Sequence, residues 1–217
     1  HVSRVASVSV NRAIFIKNSG HGSAFCIKHN ISKSFIANST FLGNKALYGG
    51  GVDVQSVKTV YLLRLKIIIN SARIGAGIHL MKITFCSVVH SSFVHNKALY
   101  SGGAINAHDG AILKLYRLSL VTNFAMGSNG EGGAIQVTNI KNCSVINSTF
   151  VGNRAQKYGG GMSAQHGNSV NFYRVTFINN SVSVAGGAFS NRDNHYVHFF
   201  NSVFMSNTMN AIHIAHS

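Results

Sequence analysis

Carboxylates are the scarcest reactive groups in this chain. Only four are present, Asp53, Asp109, Glu131 and Asp193, against nineteen Lys and Arg, and each stands in a different stretch of the sequence. Paired-carboxylate hydrolysis, calcium cages and two-metal catalysis all need several acidic groups in one place. Those classes are disfavoured from the outset. Twelve histidines come next. A metal site wants two or three of them at fixed local spacing, or in register on neighbouring structural units. His90 and His95 flank Phe93 without matching His in the flanking repeats, while His195/His198 and His213/His216 are three apart, which converges on a helix but not on a strand. The reading is solvated histidine, with no metal and no cofactor. Protonation below about pH 6.5 would add to the positive charge and strengthen electrostatic binding. Three cysteines leave at least one unpaired. The bases remain, and a formal charge of +15 suits a polyanion. Whether they form a surface depends on the elements that carry them.

Those elements are repeats. An apolar residue stands three positions before an asparagine eight times, at Asn18, Asn44, Asn70, Asn96, Asn123, Asn153, Asn180 and Asn207, a near-constant interval. The apolar partners are Phe15, Phe41, Ile67, Phe93, Leu120, Phe150, Phe177 and Phe204. After most of these Asn comes a small-residue cluster closed by an apolar residue, such as GGGV at 49–52, GGAI at 102–105 and 132–135, and GGAF at 186–189. Period-2 stretches such as Val52-Asp53-Val54 and Ile135-Gln136-Val137 predict short strands, and the glycines predict corners. A unit of about 27 residues cannot bury its own apolar face, but stacked copies can. The expectation is an all-β solenoid, a right-handed parallel β-helix of about eight coils with roughly 27 residues in each, residues 1–217 forming one domain. Because the chain begins on His1 and lacks polar caps, it reads as a piece of a longer solenoid.

Alignment on the Asn exposes a two-coil unit. Six positions before it, odd coils carry Arg12, Arg64, Arg117 and Arg174, and even coils Asn38, His90, Asn147 and Asn201. The next residue is apolar in odd coils and Ser in even ones, at Ser39, Ser91, Ser148 and Ser202. Even coils also place a base after the ladder Asn, at Lys45, Lys97 and Arg154. Strand stacking at about 4.8 Å would crowd an Arg in every coil, whereas alternate coils separate them by about 9.6 Å. The Asn column reads as a structural ladder of side-chain amides bonded donor to acceptor. Cys86 and Cys143 share an inward column two coils apart, beyond the roughly 7 Å reach of a disulfide. Cys26 shares the column of Asp53 and His79, which reads as outward-facing, and is expected to be the reactive thiol. Five N-x-S/T sequons begin at Asn30, Asn38, Asn142, Asn147 and Asn179, and repeat chemistry accounts for Asn38 and Asn147.

The GGAI and FxxN pairs, as in Phe93-to-Asn96 with Gly102-to-Ile105 and Phe150-to-Asn153 with Gly159-to-Met162, resemble the repeats of chlamydial polymorphic outer membrane proteins. Similar repeats occur in pectin-lyase-like right-handed parallel β-helices. The likeness runs from about Val8 to Ile214; the basic charge and the weak copies at 67–78 and 204–214 depart from it. The resemblance implies a non-catalytic, adhesin-like module at the cell surface or outside the cell. The two basic columns then suggest acidic polysaccharides or other polyanions as partners, with nucleic acid less suited because no known nucleic-acid module is visible. The alternative is a pectin-lyase-like polysaccharide lyase or hydrolase, or an inactive relative. Gly20-His21-Gly22 matches a polygalacturonase-like G-H-G, but the N-T-D, D-D and R-I-K elements of that pattern are missing. Asp53 and Asp109 lie about two coils apart with no acidic neighbour in sequence. A groove with converging Asp, Arg and His would favour the enzyme, and flat ladders would favour adhesion. No apolar run approaches the roughly 18 residues of a membrane span.

Overall fold

The structure, a computed structural model, describes residues 7–215, without the side chain of Asn30; His216 lies outside the described residues. Those residues form strands and turns only, and every strand pair is parallel. The chain winds through three sheets in succession. A long sheet of twelve strands includes Phe25–Ala37, Val52–Leu63, Ile105–Tyr116 and Ile135–Ile146. A middle sheet of eight three-residue strands runs from Ile14–Ile16 to Val203–Met205. A short sheet of five runs from Ser71–Ile74 to Ser181–Val182. The molecule is a parallel β-solenoid of about eight coils, with about 27 residues separating equivalent positions.

The repeat residues explain the winding. Residues three before the ladder Asn face inward at the centre of each middle-sheet strand and stack in register, Phe15 on Phe41 on Ile67 on Phe93, through to Phe177 on Phe204. Phe41, Phe93, Phe150 and Phe177 are fully buried. Rings that meet directly lie nearly flat on one another, as Phe150 and Phe177 do with centroids 4.5 Å apart. Burying one such side chain contributes roughly 1.5–3 kcal/mol.

Two corners bracket the middle sheet. The residue six before the ladder Asn has φ between 48° and 55° in all eight coils, and the residue just before it has φ between 49° and 64°. Left-handed backbone favours Gly and Asn and tolerates His. The first corner column is the Arg/Asn/His alternation, so backbone geometry shapes that pattern beside charge spacing. Hydrogen bonding couples the coils in pairs there. The hydroxyls of Ser39, Ser91, Ser148 and Ser202 accept from the backbone N–H of Ala13, Leu65, Leu118 and Val175 in the preceding odd coils, at 3.0–3.3 Å. Each donates in turn to the carbonyl two residues earlier in its own coil. The third corner explains the paired glycines. Gly102 has φ +60°, and a Cβ on Gly103 would lie 2.1 Å from the Gly133 oxygen of the next coil.

The Asn side chains hydrogen-bond along the axis without a break. In each interior coil, Oδ1 accepts from both the backbone N–H and the Nδ2 of the preceding Asn, as Asn123 does from Asn96 at 3.1 and 3.0 Å. Its Nδ2 donates to the next Oδ1 and to the carbonyl of the apolar residue in the preceding coil, as Asn123 does to Asn153 and Phe93. That second bond ties Asn to the residue three before its neighbour and makes the F-x-x-N spacing a hydrogen-bonding requirement.

Candidate functional site

Two surfaces carry chemistry. The first is the outer face of the middle sheet. Arg12, Arg64, Arg117 and Arg174 stand exposed on one edge, and Lys45, Lys97 and Arg154 exposed on the other. The second column is strictly registered, with Lys45 and Lys97 each paired to Ser71, and Arg154 to Phe124 and Ser181. Between the edges the sheet shows Thr40, Lys66, Ser92, Ser119 and Thr149 outward. A shallow groove of about 490 Å³ brings Arg64, Lys66, His90 and Arg117 together with Ser92, Ser119 and Thr149. Arg12 and Arg174 lie outside it. The Arg117 guanidinium donates to His90 Nε2 at 3.2 Å and covers the Tyr116 ring. Lys66 was not singled out from sequence; it is the one base at its position in the repeat. The acids stand elsewhere, engaged by Lys28, His79, His108, His166 and Arg192.

The second surface is a cavity of about 780 Å³ over the outer side of the long sheet. Tyr48, Ile74, Ser101 and Glu131, stacked in register, form its wall. Here the readings of His and Asp from sequence are corrected. His79 is not solvated but 2 % exposed, beneath the Tyr48 ring. Its Nδ1 lies 2.7 Å from Asp53 Oδ1, and its Nε2 lies 3.1 Å from His108 Nε2. His108 Nδ1 is 3.0 Å from Asp109 Oδ2, and Asn139 Nδ2 donates to the other Asp109 oxygen at 3.0 Å. The two carboxylates that sequence left isolated thus bracket one pair of imidazoles. His79 and His108 differ by one coil and two residues, so no column contains both. They meet because Asn106 stacks on His79, and His108 follows Asn106 on the same side of its strand.

Burial alone would raise the Asp53 carboxyl, but hydrogen bonds from His79 and Gln55 and the nearby Lys28 hold it below the usual range. Hydrogen bonds from Asn139 and His108 hold Asp109 low. Burial pushes Glu131 up against the pull of Arg192, its ion-pair partner, and of Lys157. Arg192 also donates to Gln165 and lies over the Tyr158 ring.

Cys26 is free and exposed, as expected the accessible one of the three, while burial of its sulfur and the charge of Asp53 push its thiol up. Cys86 and Cys143 are buried and free, separated by Leu113 in register between them. Gly20-His21-Gly22 is exposed, donates through the Gly20 N–H to the Lys45 carbonyl, and lines neither the groove nor the cavity. His90 and His95 occupy the two left-handed corners of one coil. Asn38 and Asn147 are first-corner residues and Asn179 a second-corner one, and Asn142 accepts from the Ser169 hydroxyl. Among the described residues no three His, Cys, Asp or Glu side chains converge as a metal-ligating group. No helix of the described residues is long and apolar enough to cross a membrane.

The molecule is therefore defined as a class: a parallel β-solenoid with an internal asparagine ladder, a basic face and a polar lateral cavity. Comparison with known proteins yields no match, whether to family models, curated proteins or solved structures.

Proposed function

We propose that this solenoid is a non-catalytic, adhesin-like module, secreted or displayed at a cell surface, that holds a linear polyanion of the acidic-glycan class along its middle sheet. One observation carries the reading: Arg64, Lys66 and Arg117 line a single groove on a face whose flanks repeat bases in alternate coils, while the acids are engaged elsewhere. Hydroxyls at Ser92, Ser119 and Thr149 offer hydrogen bonds between the charges. Contacts of this kind exchange bound counterions for side chains, so affinity falls steeply with salt. The test is retention on immobilised heparin. Changing Arg64, Lys66 and Arg117 together to Ser should lower the eluting salt concentration more than changing Arg12, Arg174 and Lys45 together. Equal elution of the two triple variants refutes the groove. Competition by duplex DNA as effective as that by heparin would redirect the reading to nucleic acid.

A second reading, polysaccharide cleavage, is favoured by the cavity. It gathers Asp109, whose carboxyl is held low, with Glu131, whose carboxyl burial pushes up, and carboxyls shifted in opposite directions can divide base and acid roles. Asp53 is not a partner for Glu131, since three coils separate them, about 14 Å at strand spacing and outside the range of paired catalytic carboxylates. Release of reducing ends or unsaturated sugars from an acidic polysaccharide, abolished by Glu131→Gln, would establish it. Failure across pectins and glycosaminoglycans would leave the binding reading alone.

A further inference from the structure

The histidine pair in the lateral cavity poses a problem of electron pairs. Asp53 accepts at Nδ1 of His79 and Asp109 at Nδ1 of His108, so each neutral ring carries its proton there. Both Nε2 atoms then present lone pairs, only 3.1 Å apart. Lone pairs that close repel unless an electron-poor centre joins them. Donors such as Lys28 and Tyr48 line the cavity, but among the described residues no further hydrogen bond reaches either Nε2. Asn106, stacked on His79 and two residues before His108, spends its Nδ2 on the Ser101 hydroxyl. Among the described residues its buried Oδ1 has no hydrogen-bond partner, and neither has the buried Oε1 of Gln136, next in that column. Unpaired buried acceptors are rare in folded proteins and call for an explanation.

We propose that His79 and His108 bind a divalent transition-metal ion of the zinc, copper or nickel class through Nε2, with Asn106 and Gln136 accepting hydrogen bonds from its water ligands. The geometry fits. Metal–nitrogen bonds of about 2.05 Å spanning 3.1 Å subtend about 98° at the ion, between the cis angle of an octahedron or square plane and that of a tetrahedron. Imidazole nitrogen selects these ions over calcium and magnesium. Carboxylates on both Nδ1 atoms are the outer shell that orients ligating histidines and raises their basicity. With two protein ligands, the remaining coordination positions open into the cavity. This site lies on a different face from the basic groove and is independent of the polyanion reading.

The test is titration of the tag-free, chelator-stripped chain with zinc, copper and nickel salts by calorimetry, with electron paramagnetic resonance of the copper form. One equivalent should bind, and the copper spectrum should show coupling to two imidazole nitrogens. His108→Ala should weaken binding at least tenfold. Asp109→Asn, at an exposed position, should weaken it about ten- to a hundredfold with unchanged circular dichroism, since it removes only the outer shell. His195→Ala with His198→Ala, elsewhere on the surface, should change nothing. No stoichiometric binding to the parent chain at about 100 µM, roughly 5–6 kcal/mol of binding free energy, overturns the proposal and leaves a shared proton between the rings. Undiminished binding by His108→Ala overturns it equally.

Discussion

Asn123→Ala tests the ladder where it is most enclosed. The asparagine makes four side-chain hydrogen bonds, accepting from Asn96 N and Nδ2 and donating to Asn153 Oδ1 and the Phe93 carbonyl. Alanine orphans the Asn96 backbone N–H and one Asn96 amide hydrogen, while the Phe93 carbonyl keeps its ladder bond from the next strand. Asn153 Oδ1 keeps its bond from the Asn123 backbone. Each orphaned buried group costs about 1–3 kcal/mol, so two give roughly 2–6 kcal/mol, and water entering the vacated space favours the lower half. The expected loss is about 2–4 kcal/mol. Asn18→Ala is the control: Asn18 is exposed, and its replacement leaves Asn44 Oδ1 bonded to the Asn18 backbone N–H. That should cost about 1 kcal/mol or less. Urea unfolding followed by circular dichroism reads both. Because coils are coupled mainly to their neighbours, the interior variant should also melt in two steps as its two halves separate. An Asn123→Ala loss below about 1 kcal/mol, or one equal to that of Asn18→Ala, would refute a cooperative amide column.

Four further outcomes follow from the same geometry. Ile69 is β-branched with φ +56° and 57 % exposed, so Ile69→Gly should stabilise by about 0.5–1 kcal/mol, the relief of left-handed strain less the entropy cost of glycine; a lowered urea midpoint counts against strain there. Gly103→Ala, with its Cβ forced against the Gly133 carbonyl, should destabilise by about 3 kcal/mol, whereas Gly20→Ala, with nothing within 4 Å, should be near neutral by the same measurement. Thiol labelling at neutral pH should find Cys86 and Cys143 inert until unfolding, since burial pushes the Cys143 thiol up to about 12 and Cys86 higher still; Cys26 should label slowly and speed up with rising pH, and fast labelling at pH 7 contradicts this. The folded-state pKa of Glu131 is raised, so its contribution to stability is present at low pH and lost as pH rises through that value; the stability of the parent relative to Glu131→Gln should therefore improve between pH 7 and pH 4, and a constant difference opposes the argument.

The fold was readable because stacking turns a period into columns: an Asn at a near-constant interval, with an apolar residue three before it, marks one position on successive coils. The Arg columns were readable by the same route. Their backbone was not, because Arg12, Arg64, Arg117 and Arg174 are not the residue types that announce positive φ, although Asn38, Asn147 and Asn201 in the same column are. The lateral cavity was hidden for another reason. His79 and His108 meet diagonally, and an alignment compares positions only vertically. Outward orientation does not bring exposure at Asp53 and His79. The wall carrying Tyr48 and Ile74 covers that outward row, so side chains pointing away from the core are buried a second time.

The serine bridges at the first corner have a consequence for length. Each joins an odd coil to the even coil that follows it. Excising an even coil would set odd on odd, bringing guanidinium over guanidinium and leaving a backbone N–H without its hydroxyl, and excising an odd coil would set even on even, leaving a serine hydroxyl without its odd-coil donor. Excising two adjacent coils rejoins like with like. A solenoid built this way can be shortened or extended smoothly only by whole pairs, so its length is counted in double coils, and a variant differing by a single coil carries a seam.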